Sequence, residues 1–154
     1  MTHRISPEQF QENLDHFQDT HADWERYNNT AGAYGRCYDA SCDYDAGGPE
    51  GHQHEGEHTS VHQFSGFTGD SSRADLRHGP YSDEQPNWTH YAAVTETTEG
   101  PMAVDWTYRQ FDASADFPHV EHLDEYRKRW STGPDPAYNP MTGSNNPTKN
   151  LRQY

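Results

Sequence analysis

The scarcity of large aliphatic side chains is the strictest constraint on this chain. Leu, Ile, Val and Phe together account for 15 of 154 residues, and 25 acidic residues stand against 11 basic ones. A chain so poor in apolar mass and so charged approaches the composition of disordered proteins. Ten Tyr, six Phe and four Trp oppose that tendency. Aromatic rings bury large areas each, so an aromatic core can replace the missing aliphatics. The expectation is one ordered domain with long irregular loops and a tail.

The same composition limits the partners. A net charge of -14 disfavours nucleic acid and anionic membrane, which require clustered Lys and Arg. Only Lys128 and Lys149 are lysines. Excess Asp and Glu, scarce Lys and few aliphatics match proteins of salt-loving organisms, in which screening relieves the self-repulsion of the compact state. No run approaches the ~20 apolar residues of a membrane span, and the first residues lack the apolar centre of a signal peptide. The expected location is therefore cytoplasmic, or within a virion.

Ser6-Pro7-Glu8-Gln9 is a helix start, with Ser6 as N-cap, Pro7 at the first helical position and Gln9 placed to complete a capping box. Phe10, Leu14, Phe17, His21 and Trp24 follow at helical spacing. A short helix is expected from Cys37 to about Ala46, ended by Gly47-Gly48-Pro49. Residues 60–67 alternate as a strand, and residues 68–87 read as a long loop. Residues 122–130 read as a short helix with Leu123, Tyr126 and Trp130 inward. Residues 131–154 carry Pro, Gly and Asn without a period and read as an extended or disordered tail, which places the domain at residues 1–130.

Residues 89–94 and 103–107 are the centre of the chain. Tyr91, Ala93 and Thr95 alternate with Ala92, Val94 and Glu96, and Thr97-Thr98-Glu99-Gly100-Pro101 supplies turn residues. If the two segments pair as a hairpin, His90 near the start of one strand lies beside Asp105 near the end of the other. An imidazole held by a carboxylate is half of an acid/base device, and Cys37 is the candidate nucleophile. Cys37 and Cys42 are the only cysteines, and their spacing fits neither a CxxC pair nor a disulfide within one helix.

Gly35-x-Cys37-Tyr38-x-Ala40-Ser41, then Val61-His62-x-Phe64-x-Gly66, His90-Tyr91-Ala92-Ala93-Val94 and Val104-Asp105-x-Thr107-x-Arg109-Gln110-Phe111 resemble small papain-like or transglutaminase-like cysteine hydrolase domains of bacterial viruses and toxins. The resemblance spans about residues 33 to 130. It implies an α+β fold with N-terminal helices packed on a small antiparallel sheet, with Cys37 as nucleophile, His90 as base and Asp105 as orienter. The implied reaction is hydrolysis or acyl transfer at an amide or peptide bond. The chain departs from the pattern in a short, polar helix after Cys37. No glutamine stands shortly before Cys37 for the oxyanion hole, where Asn28 and Asn29 are the amides able to substitute.

Two other readings stay open. His52, His54, His58 and His62, interleaved with Glu55 and Glu57, have the ligand types of a divalent-metal site, and a helical path would put His58 and His62 on one face. The aperiodic tail, long loops and frequent Tyr and Trp also suit a catalytically silent virion structural protein that orders its arms against neighbouring subunits.

Overall fold

The computed structural model describes residues 4–20, 24–29, 33, 36–45, 58–67, 89–137 and 139. The fold is α+β, built on a five-stranded antiparallel sheet. Helices α1 (Pro7–Thr20), α2 (Trp24–Tyr27) and α3 (Cys37–Asp45) precede strands β1 (Thr59–Phe67), β2 (Thr89–Thr97), β3 (Gly100–Asp105) and β4 (His119–His122). Helix α4 (Leu123–Tyr126), a 3-10 turn and strand β5 (Trp130–Pro136) complete the described chain. Across the sheet the order is β4-β3-β2-β1-β5. No helix among the described residues is long and apolar enough to cross a membrane.

Helix α1 starts where its cap predicts. The Gln9 amide donates to Ser6 Oγ at 3.1 Å, satisfying one of the orphan N–H groups of the first turn. The Gln9 side chain does not reach back to close a box; it donates to Asn13 at 2.8 Å. Phe10, Leu14 and Phe17 are buried on the inner stripe. His21 and the Trp24 side chain lie outside the described residues.

Two clusters sandwich the sheet. On one face, α1 and α3 place Phe10, Leu14, Phe17, Ala40 and Tyr44 against Ala93, Val104 and Trp106. Phe17 packs edge-on to Tyr44 at 5.4 Å and tilted against Trp106 at 4.6 Å. On the other face, Phe64, Ala92 and Ala103 are covered by Tyr108, Phe111, Tyr126 and Trp130. Burying one such ring contributes about 2 kcal/mol or more. Aromatic mass thus takes the place of the missing aliphatics on both faces.

Two sequence expectations give way here. The boundary at residue 130 moves outward, because Trp130–Pro136 pairs with β1 and residues 131–136 belong to the sheet. Ala137 donates its amide to Val61 O at 3.0 Å, and Asn139 Nδ2 donates to Cys42 O at 2.9 Å and to Asp45 at 2.6 Å. Asn139 is wholly buried, so the chain is anchored on α3 well past the expected end of the domain. Pro134 and Pro136 hide this strand from pattern reading. As an edge strand, however, β5 tolerates residues that lack an N–H. The second correction concerns the single helix expected over residues 122–130. It divides into the last residue of β4, α4, a 3-10 turn and the first residue of β5, although Tyr126 and Trp130 do point inward and Leu123 is partly buried.

The β1–β5 register slips between Gln63 and Ser65, where Phe64 of β1 faces Gly133 and Pro134 of β5. Gly133 supplies the bulge at a φ of +112°, a conformation that only glycine adopts without strain. A Cβ there would sit 2.8 Å from the carbonyl oxygen of Gln63.

Candidate active site

The hairpin decides the geometry. Ala93 pairs with Val104 and Thr97 with Gly100, and continuing that register sets Ala92 across from Asp105. His90 lies two residues before Ala92, on the same face, so His90 and Asp105 are diagonal neighbours within side-chain reach. His90 Nε2 and Asp105 Oδ2 meet at 2.7 Å, and the two residues are each only 1% exposed.

A buried carboxylate is tolerated only when its lone pairs are occupied. Asp105 Oδ1 accepts from the Thr107 amide at 3.0 Å and from the Thr107 hydroxyl at 3.3 Å. Oδ2 accepts from Tyr126 at 2.6 Å in addition to His90. The rest of the Asp105–Phe111 segment supports this arrangement. Gln110 Nε2 donates to Thr107 Oγ1 at 3.3 Å, while Arg109 donates to Ala115 O at 2.9 Å and Asn28 O at 2.8 Å. Phe111 stands edge-on to the His90 ring at 4.8 Å. Trp130 stacks on that ring at 5.1 Å, with only 6° between the planes.

Burial by itself pushes the His90 pKa down, but the Asp105 carboxylate and then Cys37 more than reverse it, to about 10. Burial likewise pushes Asp105 up, and His90, Tyr126 and the Thr107 amide together hold it below the usual carboxylate value. Near neutral pH the pair is therefore imidazolium and carboxylate.

Cys37 is the first residue of α3. The helix body lies on the Tyr91 and Ala93 face, where Ser41 donates to Tyr91 O at 3.2 Å. Cys37 itself lies within charge and hydrogen-bond reach of His90. With Nε2 committed to Asp105, Nδ1 is the ring nitrogen left for the thiol. The first intrahelical bond that can close past Cys37 is Ala40 N to Arg36 O at 2.9 Å, so the amides of Cys37, Tyr38 and Asp39 belong to the first turn of the helix. Both cysteines are free, Cys37 half-buried and Cys42 buried. Burial pushes the Cys42 thiol up to about 12, with Tyr38 opposing and Asp45, Asp43 and Asp39 adding to the rise. The two thiols thus differ in burial within one helix.

The structure therefore brings Cys37, His90 and Asp105 together. It does not place His58 and His62 on one helical face. His58 immediately precedes β1 and His62 lies within it, and four residues of extended chain span about 13 Å. The shared helical face is lost because the segment is strand. His62 bonds Ser60 Oγ at 2.9 Å, and burial lowers its pKa to about 4. His52 and His54 lie outside the described residues, and among the described residues no group of three or more His, Cys, Asp or Glu side chains is set to hold a metal. Asn28 and Asn29 are engaged with each other at 3.5 Å.

Sequence reasoning placed Tyr126 and Trp130 in the core without giving them a part in the site. A buried tyrosine hydroxyl requires a partner, and that requirement is the one signal pointing toward Asp105. Compared with known proteins, the chain matches no family model, no curated protein and no solved structure.

Proposed function

We propose that the protein is a papain-like cysteine hydrolase or acyltransferase acting on an amide or peptide bond through Cys37, His90 and Asp105. One observation carries this reading: a buried, fully satisfied Asp105 orients His90 beside a cysteine at the first turn of a helix. In a cysteine nucleophile the attacking form is the thiolate, with the imidazolium as its counter-ion. The Cys37 sulfur attacks the carbonyl carbon, forming an S–C bond and a tetrahedral oxyanion. Backbone amides at the start of α3 are the donors nearest in sequence to that charge. The C–N bond then breaks, and His90 gives its proton to the departing amine. Water, deprotonated by His90, attacks the thioester and releases the acid, regenerating Cys37. An amine in place of water gives acyl transfer.

A second reading has its own support. His90 is almost entirely enclosed, as suits a core ion pair in a silent structural subunit of a virion. Iodoacetamide labelling in high salt, followed by mass spectrometry at each cysteine, separates the two. The hydrolase reading expects Cys37 to label at least about tenfold faster than Cys42 and to lose that advantage in His90→Ala. Equal, slow labelling of both cysteines until the protein unfolds would leave the structural reading.

A further inference from the structure

Asp105 Oδ2 accepts two hydrogen bonds, one from the imidazole and one from a phenol. The distances are 2.7 Å from His90 Nε2 and 2.6 Å from Tyr126 Oη. Most support for a histidine-bound carboxylate requires only that the far oxygen be held, and the Thr107 amide and hydroxyl already do this. The tyrosine instead shares the oxygen that faces the histidine. Two donors on one oxygen divide its charge, so the strength of one bond depends on the other.

The surroundings fix the phenol in place. Tyr126 is 0% exposed. Its ring stands edge-on to Phe64 at 4.9 Å and tilted against Trp130 at 6.0 Å. Burial, and then the Asp105 charge, push its pKa well above the ordinary tyrosine value, so the hydroxyl remains a donor across the working pH range. Tyr126 ends α4, and Trp130 opens β5 four residues later. One short segment therefore holds His90 from two sides, through the carboxylate and across the ring face. The titratable groups bearing on the pair are Cys37, Tyr108 and Tyr126.

We infer that Tyr126 is a positioning residue: its hydroxyl fixes the Asp105 carboxylate and sets how much of the Oδ2 charge the His90 imidazole receives. This rests on the hydrolase reading for its purpose, but its geometry is tested separately. The readout is the proton in the His90–Asp105 bond, observed far downfield of the amide envelope by proton NMR of the intact protein. In Tyr126→Phe the carboxylate loses its competing donor, so this resonance moves further downfield. The Cys37 labelling rate with iodoacetamide falls about tenfold as the ring loses its fixed orientation. A 3-fluorotyrosine placed at 126 is a stronger donor of the same shape, and it moves the resonance upfield. That variant decides the matter where Tyr126→Phe fails to fold. A proton unmoved in both variants, or absent from the parent protein, overturns the inference. If the proton responds as expected while parent Cys37 labels no faster than in His90→Ala, the hydrolase reading falls and the Tyr126–Asp105–His90 linkage stands.

Discussion

The two faces of the sheet are built from the same rings for different ends. On the helical face, Phe17, Tyr44 and Trp106 close over Ala93 and Val104, and the free energy there comes from apolar burial. On the opposite face, Phe64, Phe111, Tyr126 and Trp130 close over Ala92 and Ala103 and also over an ion pair. Burying two charges costs several kcal/mol per ion before pairing and hydrogen bonds offset it. One face is stabilised by what it excludes from water. The other holds a histidine in one orientation, through the Asp105 carboxylate and the stacked Trp130 ring.

The comparison breaks most visibly by removing one key group from each face. Phe17→Ala and Asp105→Ala should each destabilise by about 3–5 kcal/mol, the first by a cavity and the second by stranding a buried histidine. The pH dependence tells them apart. The Phe17→Ala loss, measured by denaturant unfolding, should be constant from neutral to alkaline pH. The Asp105→Ala loss should shrink toward pH 10, where parent His90 gives up its own proton. Equal behaviour of the two variants would mean that the ion pair is neutral in the folded protein.

A smaller effect, about 2 kcal/mol, is expected for Gly133→Ala, which forces an alanine to positive φ against the Gln63 carbonyl. Because the bulge aligns β5 with β1, the same substitution should disturb the stacking of Trp130 on His90 and slow Cys37 labelling. Phe17→Ala should leave that rate unchanged in the folded fraction. Thermal unfolding combined with labelling tests both statements.

The mildest test is the pH profile of the unmodified protein. Asp105 is lowered in the fold, so its contribution is present above its unfolded pKa of about 3.9 and is lost as acid protonates the folded carboxylate. His90 is raised to about 10. Its contribution is therefore complete below the unfolded value of about 6.5 and declines as pH rises toward 10. The difference in melting temperature between the parent and Asp105→Asn should be widest between about pH 4 and 6.5 and should narrow as pH rises. A difference that widens above pH 7 would reverse the assignment of charge.

Residue patterns carried the elements whose signals are local. Ser6 capping α1, the Phe10, Leu14 and Phe17 stripe, α3 starting at Cys37 and the β2–β3 hairpin all follow from backbone preference and side-chain period. The hairpin register alone was enough to place His90 beside Asp105. The missed elements lacked a period to read. β4 has four residues, and β5 carries two prolines and a glycine bulge. Both are edge strands whose existence depends on a neighbour offering a free ladder. The alternation of residues 60–67 did mark β1, and that strand rules out the helical path that would have put His58 and His62 on one face.

The sequence by itself determined an aromatic core, the identity of the nucleophile, base and orienter candidates, and the short-range pairing of two of them, because each of these rests on composition or on neighbours along the chain. The tertiary structure decided that Cys37 reaches His90 from 53 positions away, that Tyr126 and Trp130 complete the histidine's enclosure, and that the chain past residue 130 belongs to the sheet. Those contacts join segments whose only relation is the packing of one element on another. No local preference records such packing, because its free energy exists only once both surfaces are buried together.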